Sequence, residues 1–328
     1  ATVLQMNPVE SRSSQTPATR VAADFPASKR ARARLAQTGI SAAELATRGM
    51  NHRGYWHLVR ALGNLSDSKV IVEIDGGVLC VSIADPYWAR LLAKGYVYEP
   101  EVGAFLHSIR GMAFDFVDVG ANIGYWSVVV SGKFPESRVT AFEPNPATLS
   151  ELLANAALNG NRFDCRHAAI TPTAAETVTL QFPQERGGHA AATADPRYAL
   201  DGFEKVEVPA LTLDAIVDEQ RRRGIPLLVK LDIEGLETDV LAASECTNQL
   251  DVCFVYEDHG QDSASETTRW LLETGKHEVF FLQPQALPQR IRALSDLTAK
   301  KVSKKVGYNC IAVPKVGPWI DAVTTSGP

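Results

Sequence analysis

The sequence lacks the features of membrane, secreted and metal-scaffold proteins. None of its apolar runs is long enough to span a membrane, and its start carries no signal-peptide hydrophobic segment. Its five cysteines are scattered without Cys-x-x-Cys spacing, so neither a disulfide framework nor a zinc site is expected. The chain is therefore predicted to be cytoplasmic, with no membrane span and with its cysteines kept as free buried thiols.

Several catalytic signatures are absent as well. The chain has no His-Glu-x-x-His pair, no P-loop and no Gly-x-Ser-x-Gly turn, so zinc protease, NTPase and α/β-hydrolase interpretations lack support. The net charge is −5, without a large basic excess, so nucleic acid is not an expected partner. A hydrophobic content of 45% in 328 residues supports a sizeable core, in one large domain with or without an accessory piece.

The most informative segment is residues 116–124, with the sequence Phe-Val-Asp-Val-Gly-Ala-Asn-Ile-Gly. It predicts a buried strand that ends in a glycine-bearing turn, and residues 139–144 predict a second buried strand that ends in Glu143. Gly120 and Gly124 stand where strand becomes helix, and glycine there permits a positive φ and close approach of a ligand. The first turn of the following helix has unpaired N–H groups that can face the ligand.

The acids around this turn distinguish between nucleoside cofactors. Glu143 follows Gly124 by 19 residues, where a carboxylate can accept both hydroxyls of a ribose. Asp118 stands where dinucleotide folds usually carry an apolar residue; it suits a cationic amino group and sulfonium and is a poor neighbour for a pyrophosphate. The fingerprint G-x-G-x-x-G is not met, because Asn122 occupies the middle place. These features favour S-adenosylmethionine (SAM) over NAD and predict a methyltransferase.

From residue 114 onward, predicted strands and helices alternate, which indicates an α/β fold with a parallel sheet and helices on both faces. The predicted strands are residues 114–119, 138–142, 164–170, 227–231, 252–256, 277–282 and 308–313, with a helix over 145–159. Residues 173–209 break the alternation with two antiparallel strands, 178–182 and 206–208. The glycine-containing stretch 187–189 between them is a candidate lid.

The chain is predicted to have four parts. Residues 1–50, with the basic side chains Lys29, Arg30, Arg32 and Arg34, form a mobile or helical N-terminal arm. Residues 51–110 form an accessory segment with a β-hairpin, which covers one edge of the main sheet. Residues 111–316 form the SAM-binding methyltransferase domain, and residues 317–328 form a C-terminal tail.

A second cluster of ionisable residues follows two later strands. Lys230, Asp232 and Glu234 alternate, so they share one face at the end of strand 227–231. The next strand ends in Glu257, Asp258 and His259. The carboxyl ends of parallel strands carry the ligand crevice in open sheets, so these side chains are expected to converge near the transferred methyl group. The candidate catalytic residues are Lys230, Asp232, Glu257 and His259.

Methyl transfer to a hydroxyl needs a positioned acceptor and a group that takes the hydroxyl proton. His259 has the ordinary pKa range for that work, and Asp232 has it if desolvation raises its pKa. Alternatively, the carboxylates of Asp232, Glu257 and Asp258 hold Mg²⁺, which lowers the pKa of the acceptor hydroxyl. The sequence leaves these three alternatives open.

With both clusters in place, the chain resembles the FkbM family of SAM-dependent methyltransferases. The matching segments are residues 98–101, 118–124, 142–146, Asn155, 158–160, 208–209, 211–214 and 230–237, in family order. The resemblance implies a class I methyltransferase fold, with a Rossmann-like seven-stranded sheet whose last strand is antiparallel. It also implies O-methylation of a sugar, glycan or natural-product hydroxyl.

The resemblance further implies which residues bind the cofactor. Asp118, Gly120, Asn122 and Gly124 line the SAM site, Glu143 holds the ribose, Asn159 and Ala168 lie near the adenine, and Glu101 packs against the methionine end. The implied set is completed by Asn145 and Asp232. Related macrocin-type sugar O-methyltransferases use Mg²⁺ held by acids comparable in place to Asp232, Glu257 and Asp258. The basic arm and the 173–209 insertion depart from the family pattern and leave the acceptor open.

Three other functions compete with a small-molecule or glycan O-methyltransferase. An NAD-dependent oxidoreductase is disfavoured by the missing third glycine and by Asp118. Amino-directed RNA methyltransferases carry an Asn/Asp-Pro-Pro-Tyr/Phe motif after the fourth strand, where this chain has Asp-Ile-Glu-Gly at 232–235. A non-catalytic module that binds SAM to scaffold a partner is the third. Homo-oligomerisation is left open.

Overall fold

The computed structural model of the protein describes residues 38–40, 69–83, 85, 87–183, 203–221, 224–233, 235–304 and 306–325. The predicted arm lies outside these residues except for helical residues 38–40, and the candidate lid at 187–189 and Glu234 lie outside them entirely. All five cysteines are free; Cys246, Cys253 and Cys310 are buried, and Cys80 and Cys165 are half-buried.

The described residues form thirteen strands. In chain order these are β1 (Lys69–Ile74), β2 (Gly77–Ser82), β3 (Asp115–Val119), β4 (Val139–Phe142), β5 (Asp164–Arg166), β6 (Ala169–Ile170), β7 (Thr177–Pro183), β8 (Phe203–Leu211), β9 (Leu227–Leu231), β10 (Val252–His259), β11 (His277–Gln283), β12 (Ala286–Ile291) and β13 (Gly307–Pro314).

Eight α-helices accompany them in the described part of the chain. They are α1 (Pro100–Ser108), α2 (Tyr125–Lys133), α3 (Pro146–Leu158), α4 (Leu213–Gln220), α5 (Glu237–Ala242), α6 (Glu266–Thr274), α7 (Leu294–Thr298) and α8 (Pro318–Thr325). Short 3₁₀ segments cover Trp88–Leu92 and Glu245–Asn248. No helix among the described residues has both the length and the apolar character needed to cross a membrane.

The central sheet of the described residues has the strand order β12-β11-β13-β10-β9-β3-β4-β5. Strands β5, β4, β3, β9 and β10 are parallel neighbours, and β13 runs antiparallel to both β10 and β11. The predicted α/β fold and the antiparallel last strand are confirmed. The predicted strand number, seven, is wrong, because β12 adds an eighth strand at the edge. Its mostly exposed residues, including Pro288, lack the apolar run by which the other strands were found.

One predicted strand, residues 164–170, is two strands in two different sheets. β5 pairs with β4 in the central sheet, whereas β6 pairs with β8 in a small sheet of order β6-β8-β7. The chain turns away at His167, whose Nε2 lies 2.9 Å from the Pro144 carbonyl oxygen. The predicted antiparallel pair within 173–209 is present as β7 and β8, the latter longer than predicted.

Local sequence explains where the helices beside the central strands begin. β3, β4 and β9 consist entirely of buried residues, as expected for the interior of a sheet covered on both faces. α3 begins at Pro146 after Asn145, whose side chain accepts hydrogen bonds from the N–H groups of Ala147 and Thr148. α2 begins after Gly124, which has a φ of 90°.

The predicted accessory segment shares the core of the methyltransferase domain. Buried residues of β1, β2 and the 88–93 segment belong to the same apolar cluster as α2, α3 and one face of the central sheet. The hairpin packs on α2 and α3, and α1 is the part that contacts the edge strands β11 and β12. The predicted tail contains α8, whose Trp319 is fully buried and donates a 2.8 Å hydrogen bond to the Asp251 carbonyl oxygen.

Candidate functional site

A cavity of about 930 Å³ opens at the carboxyl ends of β3, β4, β9 and β10. Such a volume suits a cofactor together with a small acceptor. Ten predicted site residues line it: Glu101, Asp118, Gly120, Asn122, Glu143, Ala168, Lys230, Asp232, Glu257 and His259. Both ionisable clusters found in the sequence therefore meet in one cavity.

The glycine turn is held between the ends of β4 and β9. The backbone N–H groups of Gly120 and Ala121 each donate a 2.9 Å hydrogen bond to the Phe142 carbonyl oxygen. Gly120 has a φ of 77°, and a Cβ atom there would overlap the carbonyl oxygen of Asp232. A side chain at position 120 would therefore be strained and would push the two strand ends apart.

Gly124 has the positive φ expected where the turn becomes helix, with a value of 90°. It caps α2, and a Cβ atom there would lie 2.6 Å from Cδ1 of Leu152 on α3. Gly124 is not among the cavity-lining residues. It allows α2 and α3 to pack closely behind the turn.

Glu143 follows β4 and is 7% exposed at the cavity wall. Its Oε2 accepts a 2.9 Å hydrogen bond from the Asn122 N–H, and its Oε1 accepts one of 2.9 Å from the Asn145 N–H. Burial raises the pKa of Glu143 to about 7, although the two N–H donors oppose that rise. Both carboxylate oxygens are thereby fixed in direction while each retains a lone pair for a ligand.

Asp118 lies on β3, 2% exposed, and its Oδ2 accepts a 2.7 Å hydrogen bond from Ser127 Oγ on α2. Burial raises the pKa of Asp118, while the Lys230 ammonium and the Ser127 hydroxyl oppose the rise. The strand neighbours Asp118 and Lys230 are directly paired in register. A carboxylate and an ammonium are thus placed side by side in the floor of the cavity.

Lys230 interacts electrostatically with three acids in this part of the site. Its Nζ donates a 2.7 Å hydrogen bond to Oδ2 of Asp232. Burial disfavours the ammonium, but the carboxylates of Asp232, Glu99 and Asp118 together raise the pKa of Lys230 well above its ordinary value. Lys230 therefore stays protonated and does not act as a base.

Glu257 and His259 project from the same face of β10 and both line the cavity. His259 Nδ1 lies 3.9 Å from Glu257 Oε1. Burial, and next the Asp232 carboxylate, raise the pKa of Glu257 to about 7. This pair is an imidazole beside a carboxylate, an arrangement suited to proton transfer.

The three acids considered for Mg²⁺ do not converge. Asp258 points to the opposite face of β10, where Oδ2 accepts a 2.6 Å hydrogen bond from Thr268 Oγ1 and Oδ1 pairs with Lys301. The Asp232 carboxylate is engaged by Lys230. No group of three or more His, Cys, Asp or Glu side chains within the described residues is placed to hold a metal ion. Among the residues that the structure describes, Asp232, Glu257 and Asp258 therefore do not form a shared Mg²⁺ site.

Two predicted cofactor residues have side chains directed elsewhere. Asn159 faces the hairpin: Oδ1 accepts from the Val78 N–H at 3.0 Å, and Nδ2 donates to the Val78 carbonyl oxygen at 2.7 Å. Asn145 caps α3, and only its backbone N–H serves the site, through Glu143. Neither residue lines the cavity.

Sequence reasoning missed an aromatic wall on the cavity. It consists of Tyr87, Trp88, Tyr98, Tyr125 and Trp126, whose neighbouring ring centroids lie 4.8–6.3 Å apart. The hydroxyls of Tyr87 and Tyr98 are 3.0 Å apart, and Trp88 Nε1 donates a 3.1 Å hydrogen bond to Asn122 Oδ1. The wall is thus joined to the glycine turn by a direct bond.

Glu99 was also missed, although it stands in a segment that carried the family resemblance. Its Oε2 accepts a 2.5 Å hydrogen bond from Trp126 Nε1, and it lines the cavity. Its φ of 39° is left-handed, a strained conformation for a residue other than glycine. Burial raises the pKa of Glu99, while Lys230 opposes the rise. Its position depends on tertiary contacts that sequence patterns do not show.

Solved structures of methyltransferases are similar to this chain, although their sequence identity to it is low. A precorrin-6y C5,15-methyltransferase from Geobacter metallireducens GS-15 has a TM-score of 0.37 and 14% identity, covering 68% of this chain and 93% of that one. An O-methyltransferase from Bacillus cereus, in complex with S-adenosylhomocysteine (SAH), has a TM-score of 0.36 and 9% identity, with coverage of 66% and 82%.

Two fungal proteins are similar in sequence. Methyltransferase sdnD of Sordaria araneosa is 29% identical over 152 residues, covering 38% of this chain and 58% of that protein. Methyltransferase 1 of Beauveria bassiana (strain ARSEF 2860) is 27% identical over 139 residues, with coverage of 38% and 56%. The matched region is thus less than two thirds of either relative's length.

The model of the Methyltransferase FkbM domain matches residues 118–278. This range begins at Asp118 on β3 and contains the glycine turn, Glu143, Lys230, Asp232 and the Glu257–His259 pair. Residues 118–278 of this chain therefore form a methyltransferase domain of the FkbM family.

Proposed function

We propose that the protein is a SAM-dependent O-methyltransferase that transfers a methyl group to a hydroxyl of a sugar, glycan or natural-product acceptor. The observation that carries the proposal is the Glu143 carboxylate, buried at the cavity wall and oriented by the N–H groups of Asn122 and Asn145. A ribose diol requires a carboxylate that is held in a fixed orientation near a glycine turn, and Glu143 at the end of β4 is such a carboxylate.

The other charged and small side chains around the cavity suit the remaining parts of SAM. The methionine end of SAM carries positive charge, and Glu99, Asp118 and Asp232 surround the single ammonium of Lys230. This part of the cavity retains excess negative charge that a cationic ligand neutralises. Ala168, between β5 and β6, lines the same cavity beside the β4 end. There a small side chain leaves room for a planar base.

Bound SAM supplies an electrophilic methyl group, so the tasks left to the protein are positioning and removal of the acceptor proton. The aromatic wall offers an apolar surface against which a ring-shaped acceptor can pack. Asp232, Glu257 and His259 are the candidates for taking the proton, and Lys230 holds Asp232 in place. No step is assigned to Mg²⁺, because Asp258 points to the opposite face of β10 and the Asp232 carboxylate is engaged by Lys230.

The alternative cofactor, NAD, is less well supported by the same contacts. The Asp118 carboxylate lies directly below the glycine turn, with Glu143 and Asp232 nearby. A pyrophosphate would have to displace or neutralise these acids. An RNA substrate meets the same difficulty, because the cavity is lined by six acids, Glu99, Glu101, Asp118, Glu143, Asp232 and Glu257.

The proposal is tested with a panel of hydroxyl acceptors, comprising free sugars, nucleotide sugars, glycosides and polyketide-type alcohols. Each is incubated with the full chain and SAM, and the products are examined by mass spectrometry for addition of one methyl group and for SAH. We expect methylation of at least one oxygen acceptor. Transfer only to nitrogen of RNA, or tight SAM binding with no transfer to any acceptor class, would contradict it.

A further inference from the structure

Gly307, the first residue of β13, lies opposite the candidate proton-transfer pair. In the antiparallel ladder Gly307 is paired with His259, and Asn309 is paired with Glu257. Gly307 lines the cavity together with Glu257 and His259. All three residues therefore belong to one wall of the site.

The carboxylate of Glu257 occupies the space that a side chain at position 307 would need. A Cβ atom built on Gly307 would coincide with Oε1 of Glu257, with Cδ and Cγ also in contact range. The φ of Gly307 lies outside the left-handed region, so the backbone does not require glycine there. Glycine is required because the Glu257 side chain passes over position 307 of β13 on its way to His259.

We propose that Gly307 is a positioning residue: by lacking a side chain it lets the Glu257 carboxylate lie beside the His259 ring, which then takes the acceptor hydroxyl proton. This inference rests on the proposed function. The proton leaves the acceptor oxygen and adds to the neutral imidazole, and the resulting imidazolium is stabilised by the Glu257 carboxylate. The arrangement favours His259 over Asp232, whose carboxylate is already engaged by Lys230.

Other charged groups also act on this pair. Asp232, Glu99 and Lys230 influence Glu257, and Glu237 on α5 interacts electrostatically with His259. Glu257 is the group closest to position 307, because the three atoms nearest to a Cβ atom there all belong to its side chain. A change at Gly307 therefore acts on His259 through Glu257.

The test is Gly307→Ala, compared with Glu257→Gln and with Gly111→Ala. The clash in Gly307→Ala involves the flexible end of one side chain, so the variant is expected to fold. Gly111 has open space around its Cβ position and no positive φ, which makes Gly111→Ala a matched control. The titration of the His259 ring is followed by NMR in histidine-labelled protein, with the signal assigned through His259→Gln.

We expect the midpoint of the His259 titration to fall by about 0.5–1 pH unit in Gly307→Ala and equally in Glu257→Gln, because both remove a carboxylate from the ring. Gly111→Ala should not change it. A midpoint unchanged in Gly307→Ala, or unchanged in Glu257→Gln, would overturn the proposal.

Calorimetric titration with SAH separates this inference from the proposed function. Gly307→Ala should bind SAH within about twofold of the unaltered chain, since position 307 lies on β13, away from Glu143 and the glycine turn. If the unaltered chain fails to bind SAH, the proposed function fails while the NMR shifts still report on the pair. If SAH binds and the shifts are absent, the positioning role of Gly307 fails alone.

Discussion

The Lys230 ammonium donates a 2.7 Å hydrogen bond to Oδ2 of Asp232, and both side chains line the cavity at the carboxyl end of β9. The Lys230 ammonium also acts electrostatically on Asp118 and Glu99, whose pKa values it lowers against the effect of burial. One ammonium therefore holds together acids that come from three separate segments of the chain. Replacing Asp232 therefore tests whether this cluster of charges contributes to the reaction.

Asp232→Asn keeps the shape of the side chain and removes its charge. Since the Glu143 contacts are untouched, SAH affinity should change by less than about threefold, whereas kcat should fall by about 100-fold or more. The measurement is turnover of an acceptor identified in the hydroxyl panel, with calorimetry of SAH in parallel. Unchanged kcat would remove the Lys230–Asp232 pair from the mechanism.

Glu143→Gln should weaken SAH binding by about 10- to 100-fold, because hydrogen bonds to a charged group contribute about 1.5–3 kcal/mol. The variant should retain its fold, since the amide can still accept from one backbone N–H. Glu136→Gln, at an exposed position after α2, is the matched control and should bind SAH normally. Equal affinities for both variants would contradict the ribose assignment.

The pH dependence of binding provides a second check on Glu143. Its pKa of about 7 in the free protein means that the ionised form grows as pH rises from 6 to 8. If the ionised carboxylate receives the ribose hydroxyls, SAH affinity should rise by about tenfold over that range. Glu143→Gln should show a flat profile. A profile of the same steepness in both proteins would show that another group titrates.

Asn159→Ala should destabilise the protein by about 1–3 kcal/mol and leave SAH binding intact. The side chain satisfies the Val78 N–H and carbonyl groups and also bonds to the Asn155 carbonyl oxygen, so its loss leaves buried polar groups unpaired. Chemical denaturation measures the change, with the exposed Asn248→Ala as control. If SAH binding were weaker and the stability unchanged, Asn159 would have to contribute to cofactor binding.

His277 is buried on β11, and neither of its ring nitrogens hydrogen-bonds to any described protein group. Burial lowers its pKa to about 4. Because the unfolded chain binds the proton more readily, the stability contribution is complete above about pH 6.5 and is lost as pH falls toward 4.

His277→Leu removes this proton-linked term. Between pH 7.5 and pH 5 the variant should lose about 2 kcal/mol less unfolding free energy than the unaltered chain does. Urea denaturation at both pH values measures the difference. Identical losses in the two proteins would show that His277 is protonated without cost in the folded state. Glu143 and Glu257 titrate in both proteins and cancel in the comparison.

The sequence predicted the central fold because its strands are continuous apolar runs that end in glycine or acid. Strand periodicity and parallel order correctly brought Asp118, Lys230, Asp232, Glu257 and His259 to one cavity. The same periodicity separates Glu257 from Asp258, since neighbouring residues of a strand point to opposite faces. This alternation alone argues against a Mg²⁺ site shared by Glu257 and Asp258.

The remaining features depend on contacts between distant parts of the chain. Asn159 follows a helix, and only the docked hairpin decides that its side chain points away from the cofactor cavity. β12 is an exposed edge strand without an apolar run. Glu99 has a positive φ that no local sequence rule gives to a residue before proline. Tertiary packing fixes each of these positions.

The roles proposed for Glu143 and Asp118 require the cavity to bind the ribose and the amino-acid end that SAM and SAH share. Calorimetric titration of the full chain with SAH and, separately, with NAD tests this requirement most directly, each with and without Mg²⁺. We expect SAH to bind with a Kd of about 1 μM, NAD not to bind, and Mg²⁺ to leave the affinity for SAH unchanged. NAD binding without SAH binding would contradict the roles given to Asp118 and Glu143 and would indicate an oxidoreductase.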